Sequence, residues 1–361
     1  MTLRKVLLGT TALLGVGTFY AGSVKAADLE VTTGGFLRFG VAGGDLDSAL
    51  GTEDVRDYDF YTDNEIHFDA QATDDQTGIT YGGKVELEAD TNSGGIIVSS
   101  DDTTGNISDV SAGDQIDEAW LFMKGGFGEL QLGDNDGATD QLKFGAYSIA
   151  AGTGGIDGDG PVATVPLYHT NTGDATKVTY FSPDLFGAKL GVSFTPDGGG
   201  RGSTIDTDTQ GNTENVFEGA VQYDASFGGF DVALGATGII GGSEAGGTDP
   251  EGYSVGAVTS IFGFSVAGQY FDNTNDDAFY DYGWNVGIGG TFGPADVSVN
   301  YGYADSGDDN EDLVFSATVG LLPGVALNGD VALFSTDTDD LDVGDLDDTG
   351  LTGVIRLDIN L

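Results

Sequence analysis

The stretch that decides the fold is the last one, "LTGVIRLDINL", Leu351 to Leu361. Leu351, Gly353, Ile355, Leu357, Ile359 and Leu361 share one parity, while Thr352, Val354, Arg356, Asp358 and Asn360 share the other. Alternation of this kind marks a strand with two unlike faces. It runs to the final residue, although chain ends usually fray unless something ties them down. Another strand must pair with this one, and its apolar row must face something other than water.

Working outward, the same alternation recurs at "GITYGGKVELEA" (Gly78 to Ala89), "FGAKLGVSFT" (Phe186 to Thr195), "NVFEGAVQYDA" (Asn215 to Ala225), "GWNVGIGGTFG" (Gly283 to Gly293) and "ADVSVNYGYAD" (Ala295 to Asp305). No helical periodicity separates these stretches. In the first, Ile79, Tyr81, Val85 and Leu87 share one face and Thr80, Lys84, Glu86 and Glu88 the other. Each is about ten residues long, enough to cross a bilayer at a tilt.

The connections alternate in length. Seven are short, from Thr73–Gly78 to Leu322–Gly324. Eight are long and acidic: Ala42–Tyr58, Thr91–Gly113, Asp134–Asp174, Pro196–Thr213, Gly241–Pro250, Asn273–Tyr280, Ala304–Glu311 and Thr336–Asp348. Fifteen connections require sixteen strands, with both chain ends on the short-turn side. That is an all-β, sixteen-stranded antiparallel transmembrane barrel with short periplasmic turns and long extracellular loops. The short turns repeatedly place phenylalanine beside glycine, at Phe127, Phe186, Phe227, Phe262 and Phe292, which would form an aromatic girdle at one rim. A soluble β-sandwich explains single turns but not this one-sided recurrence. In a closed barrel the last strand pairs with the first, "LEVTTGGFLRFGV" from Leu29 to Val41; the apolar row then faces lipid or a neighbouring subunit and the other row looks into water.

Composition agrees. Residues 1–26 carry Arg4, Lys5, an apolar run, and small residues at Val24 and Ala26, the pattern of a secretory signal peptide cleaved after Ala26. Residues 27–361 are then the barrel. Three of the 12 Lys and Arg lie in that leader and none of the 59 acids, leaving 9 against 59, a formal charge of −50. Such a surface repels nucleic acid. There is no cysteine, so no disulfide holds an exported fold. Sixty-two glycines against seven prolines, with 10% aromatics, suit sheets with many turns. After the leader, no run approaches the eighteen apolar residues of a membrane helix.

The connection after Asp134 is too long for an ordinary loop. It mixes acids with Leu142, Phe144, Tyr147, Ile149 and Val165, which a solvated lid would not need. Folded back against the wall it would bury them and leave Asp134, Asp136, Asp140, Asp157 and Asp159 pointing at the passage. Opposing charge would come from Arg38, Lys84, Lys177, Lys189 and Arg356, all on the polar parity of their strands. In mid-depth lipid each would cost about 2 to 4 kcal/mol, so they belong in the lumen. His67 shares a face with Glu65, Asp69 and Gln71 and reads as a wet wall residue; His169 has no metal-spaced partner. No cysteine nucleophile, phosphate loop or metal-binding histidine pair is present, so nothing points to an enzyme. No cofactor is required, although "GTGGIDGDG" and "DNDGATD" leave room for weakly bound calcium in acidic outer loops.

Two segments resemble the general Gram-negative porins, especially those of purple photosynthetic and other alphaproteobacteria. They are "DEAWLFMKGGFGELQLGDND" (Asp117 to Asp136), similar to the strand, glycine-rich turn and strand leading into the family's third loop, and "KVTYFSPDLFGAKLGVSF" (Lys177 to Phe194), similar to the next hairpin. The resemblance implies a homotrimer of barrels, each with a diffusion pore narrowed by that loop. Some relatives carry arginine where this chain has Asp134 or Thr179, so a full arginine cluster across the pore is not expected. The family usually closes on a phenylalanine read by the barrel-insertion machinery, and Leu361 stands there instead. The expected function is a passive, mildly cation-selective outer-membrane channel for small hydrophilic solutes and ions. The alternative is a secreted acidic β-structured calcium-binding or surface protein, which requires neither lipid-facing rows nor fifteen alternating connections.

Overall fold

The computed structural model describes residues 29–44, 56–89, 116–161, 165, 167–202, 212–244, 247–274, 281–305, 309–338 and 346–361. The expected signal peptide, residues 1–26, lies outside them, as does much of the acidic long connections. The strands are β1 (Glu30–Gly44), β2 (Tyr58–Thr73), β3 (Thr80–Glu88), β4 (Ile116–Gly125), β5 (Gly128–Asp134) and β6 (Thr176–Phe181). They continue as β7 (Ala188–Asp197), β8 (Thr213–Phe227), β9 (Phe230–Ser243), β10 (Glu251–Ile261) and β11 (Phe264–Asn273). The last five are β12 (Tyr282–Phe292), β13 (Ala295–Asp305), β14 (Asp309–Leu322), β15 (Val325–Thr338) and β16 (Leu346–Asn360). Each pairs antiparallel with its neighbours in sequence, and β16 returns to β1 to close the barrel.

That closure is what holds the chain end. Phe36 pairs with Asn360, Val41 with Ile355 and Gly44 with Thr352, and the Leu361 N–H donates to the Gly35 carbonyl at 3.0 Å. The outward row of β16 is exposed, with Leu351 at 51% and Ile355 at 57%. The inward row does not look into water as its polarity suggests. Thr352, Val354 and Arg356 are nearly fully buried, because the long β5–β6 connection lies over them.

The strands outrun the alternating sequence on the long-loop side. β13 and β14 pair as far as Asp305 opposite Asp309, leaving only residues 306–308 between them, so Ala304–Glu311 is mostly strand. β15 and β16 likewise pair out to Thr338 opposite Leu346. Acidic residues mark where the wall leaves the hydrocarbon, not where the ladder stops, because above the bilayer both strand faces can be polar.

At the other rim, Phe186 and Phe262 are 98% and 91% exposed and adopt left-handed φ of 60° and 53°, each followed by a positive-φ glycine. Bulky residues there cost roughly 1–2 kcal/mol, while asparagine tolerates the conformation. A membrane interface rewards the aromatic ring itself. Replacing both by asparagine (Phe186→Asn with Phe262→Asn) should therefore leave the barrel heat-modifiable on gels while slowing its insertion into lipid vesicles several-fold. Unchanged insertion would remove the girdle role.

Candidate functional site

The connection between β5 and β6 folds into the barrel. It holds a single-turn helix, α1 (Ala138–Gln141), and two 3-10 turns, Ala146–Ile149 and Gly155–Asp157. Such short pieces leave most backbone groups without internal partners, and the inward row of the wall supplies them. The Ala138 N–H donates to Ser193 Oγ on β7 at 2.7 Å, and Ala146 N–H to Asn285 Oδ1 on β12 at 2.7 Å. Asn300 on β13 donates back to the Ala146 carbonyl at 2.9 Å. Further on, Ala151, Gly152 and Thr153 N–H donate to Ser298, Thr318 and Asp330, on β13, β14 and β15, at 2.8–2.9 Å. The returning arm is tied by His169, whose Nε2 meets Thr237 Oγ1 at 2.8 Å while Nδ1 meets its neighbour's carbonyl, Thr170 O, at 2.6 Å. Burial holds this imidazole below its ordinary pKa and hence neutral.

Apolar contacts seat the loop between those bonds. Leu142 and Ala138 bury against Phe181, and Val165 against Phe271 and Ala304. Phe144, Tyr147 and Ile149 are only half-buried. Where Phe144 crosses β9 and β10 the wall has Gly235 and Gly256; a Cβ on Gly256 would sit 1.9 Å from the Phe144 carbonyl oxygen. The wall is thinned where the loop backbone passes.

The expected site residues separate into groups. Asp159 accepts from Tyr61 on β2 at 2.6 Å and from Arg356, whose Nε also reaches Asp358 at 2.7 Å, so acid and base do meet on the loop. Asp140 takes Lys143 at 2.6 Å and the Tyr168 hydroxyl. Lys143, part of the loop itself and stacked 3.6 Å over the Tyr168 ring, is a basic residue that strand parity could not have flagged. Asp136 packs with Glu118 and Asp174, one carboxylate oxygen of each lying within 4.8 Å of the others. Burial, then the nearby Asp140, Glu118 and Asp174 charges, push the Asp136 carboxyl up to about 7. Asp157 is open to the lumen and forms no ion pair among the described residues. The protein packed around it raises its pKa, an effect that lumen water moderates.

Asp134 does not point at the passage. It shares the outward row of β5 with exposed Leu132, at the strand's end, where it accepts from Thr176 and from the Gly202 N–H at 3.2 Å. The basic residues also divide. Lys177 is buried and donates to the carbonyls of Asn135 and Gly173, bracing both ends of the loop. Lys189 stays at the short-turn rim over the Phe181 ring. Arg38 pairs with Asp63 at 2.5 Å and Lys84 with Glu86, on the arc of wall facing the loop.

A family model described as Gram-negative porin matches residues 9–339. No curated protein matches the chain. A mutant of the Rhodopseudomonas blastica porin is 17% identical, with a TM-score of 0.61, the match covering 92% of this chain and 100% of that one. A triple mutant of the same porin is 16% identical with a TM-score of 0.63 and the same coverage. At such identity the likeness is one of fold. Gly256→Ala tests whether the loop sets the passage: it should shift single-channel conductance, because the added methyl group must displace the Phe144 backbone, while the barrel remains heat-modifiable. Unaltered conductance would show that the loop does not set the width.

Proposed function

The chain belongs to the Gram-negative porin family and is an outer-membrane channel, not an enzyme; on that premise we propose that it passes small hydrophilic solutes and ions with a mild preference for cations. The observation that supports the preference is how the inward-facing bases are used. Lys143 is paired with Asp140, Arg38 with Asp63, Lys84 with Glu86, and Arg356 with Asp159 and Asp358. Asp157 and the Glu118–Asp136–Asp174 trio are left to set the field. Arg201 offsets that trio only at its Asp174 end. A narrow passage with low-dielectric walls concentrates counter-ions of the opposite sign, and added salt screens the effect.

Width is assigned to the inward-folded loop and charge to Asp136, Asp140, Asp157 and Asp159 together with the wall bases Arg38, Lys84 and Arg356. Asp134 faces away from the passage, Lys177 is buried against the two ends of the loop and Lys189 stays at the short-turn rim, so none of the three is assigned a part in selectivity. Residues 1–26 are proposed to direct export and residues 27–361 to form the barrel. The barrel is embedded in outer-membrane lipid. Its delivery by the barrel-insertion machinery and its assembly as a homotrimer are proposals supported by the family resemblance. In this reading the channel works without a cofactor.

Reversal potentials under a salt gradient test the preference. The parent should favour cations, and Asp157→Asn should reduce that preference severalfold less than removing Asp136 and Asp157 charge together. Anion preference in the parent at low salt would reject the proposal. A carboxyl with a pKa of about 7 is neutral below that pH and charged above it, so Asp136 contributes to the field only at higher pH. Cation preference should therefore fall as pH drops from 8 to 6, and Asp136→Asn should flatten that change. Deleting Ala150 to Gly160 should widen the pore, but it also uncovers Arg356, so selectivity in that variant should move toward anions.

A further inference from the structure

Histidines about a hundred residues apart give no metal motif along the chain, but neighbouring strands supply what sequence spacing does not. His67 lies on the inward row of β2, two residues after Glu65, and the register sets Glu86 of β3 directly opposite it. His67 Nε2 is 3.0 Å from Glu65 Oε1 and 3.9 Å from Glu86 Oε2. One donor atom from each of the three lies within 4.8 Å of the other two. Glu65 is 8% exposed, and its Oε1 and the His67 Nε2 beside it are both buried without a well-aligned hydrogen bond to each other or to any other described residue. Lys84 holds Glu86 Oε1, which leaves Oε2 on the histidine side. Phe36 packs edge-on to the imidazole, 6.3 Å between ring centres, and limits its rotation.

We propose that Glu65, His67 and Glu86 bind one divalent transition-metal ion of the zinc type on the channel wall opposite the loop. An imidazole nitrogen with two carboxylate oxygens suits borderline ions such as Zn²⁺; Ca²⁺ and Mg²⁺ prefer all-oxygen sets. Tetrahedral zinc with bonds of about 2.0–2.1 Å sets its ligands roughly 3.3 Å apart, so the three side chains need only close slightly around the ion. Two carboxylates brought together on a half-dry wall repel each other, and a divalent ion between them removes that repulsion. His67 keeps partial exposure to the lumen, which gives an ion a route to the site. A bound ion would add positive charge to the channel wall and weaken the cation preference.

Zinc chloride titrated calorimetrically into the purified full-length barrel in detergent tests the site. One zinc per chain should bind, and Glu65→Gln and His67→Ala should each weaken binding at least about tenfold. His169→Gln, which removes the buried histidine tied to Thr237, should not weaken it, and magnesium chloride should not substitute. Heat-modifiability on gels confirms that each variant is folded. In planar bilayers zinc should lower the cation preference of the parent and not of His67→Ala. Failure of the parent to bind zinc, or equal affinity or equal electrical response in parent and His67→Ala, overturns the proposal. The calorimetric result does not depend on conduction, so a failed metal site and a failed channel reading give different outcomes.

Discussion

Hydrocarbon offers no water to an unpaired backbone N–H or C=O, so a sheet that crosses a bilayer has to close on itself. The β1–β16 ladder is where this chain meets that requirement, with pairs from Phe36–Asn360 to Gly44–Thr352. The two faces of every strand follow from it. One row is left to lipid, as with Leu351 and Ile355; the other surrounds a space that is free to be polar. Sixteen strands enclose more volume than their own side chains fill, and the β5–β6 loop occupies part of it.

The loop can lie there because the wall takes the place of water for its backbone. Ser193, Asn285, Ser298, Thr318 and Asp330 each accept from a loop N–H, at positions where a soluble barrel would carry aliphatic groups. Each bond contributes about 0.5–1.5 kcal/mol net, and leaving a buried group unpaired costs about 1–3 kcal/mol. Spread over strands between β7 and β15, these bonds fix the loop far more firmly than its single-turn helix could. The passage then lies between this fixed loop and the arc of wall that carries Arg38, Glu65, His67, Lys84 and Glu86.

Charge in that passage is governed by pairing more than by number. Arg356 is a strong base, but with Asp159 on one side and Asp358 on the other it presents little field to a passing ion. Lys177 spends its donors on two carbonyls. Carboxylates outnumber their partners, so the unpaired ones determine which ions are concentrated.

The sequence by itself determined the number of strands, which row of each faces outward, and which connection is too long and too apolar to stay outside. All three depend on parity or length, which are properties read along the chain. It also showed that Leu142 and Val165 needed cover. Only the tertiary structure decided that Asp134 faces away from the passage, that Lys189 stays at the rim, that Arg356 meets Asp159, and that His67 stands opposite Glu86. Lys143 lies in a loop, which has no parity to read. Partners across a barrel are set by register, strand tilt and the path of a loop through space. A period-two pattern shows which side of the wall a residue is on, but not its depth or what it faces.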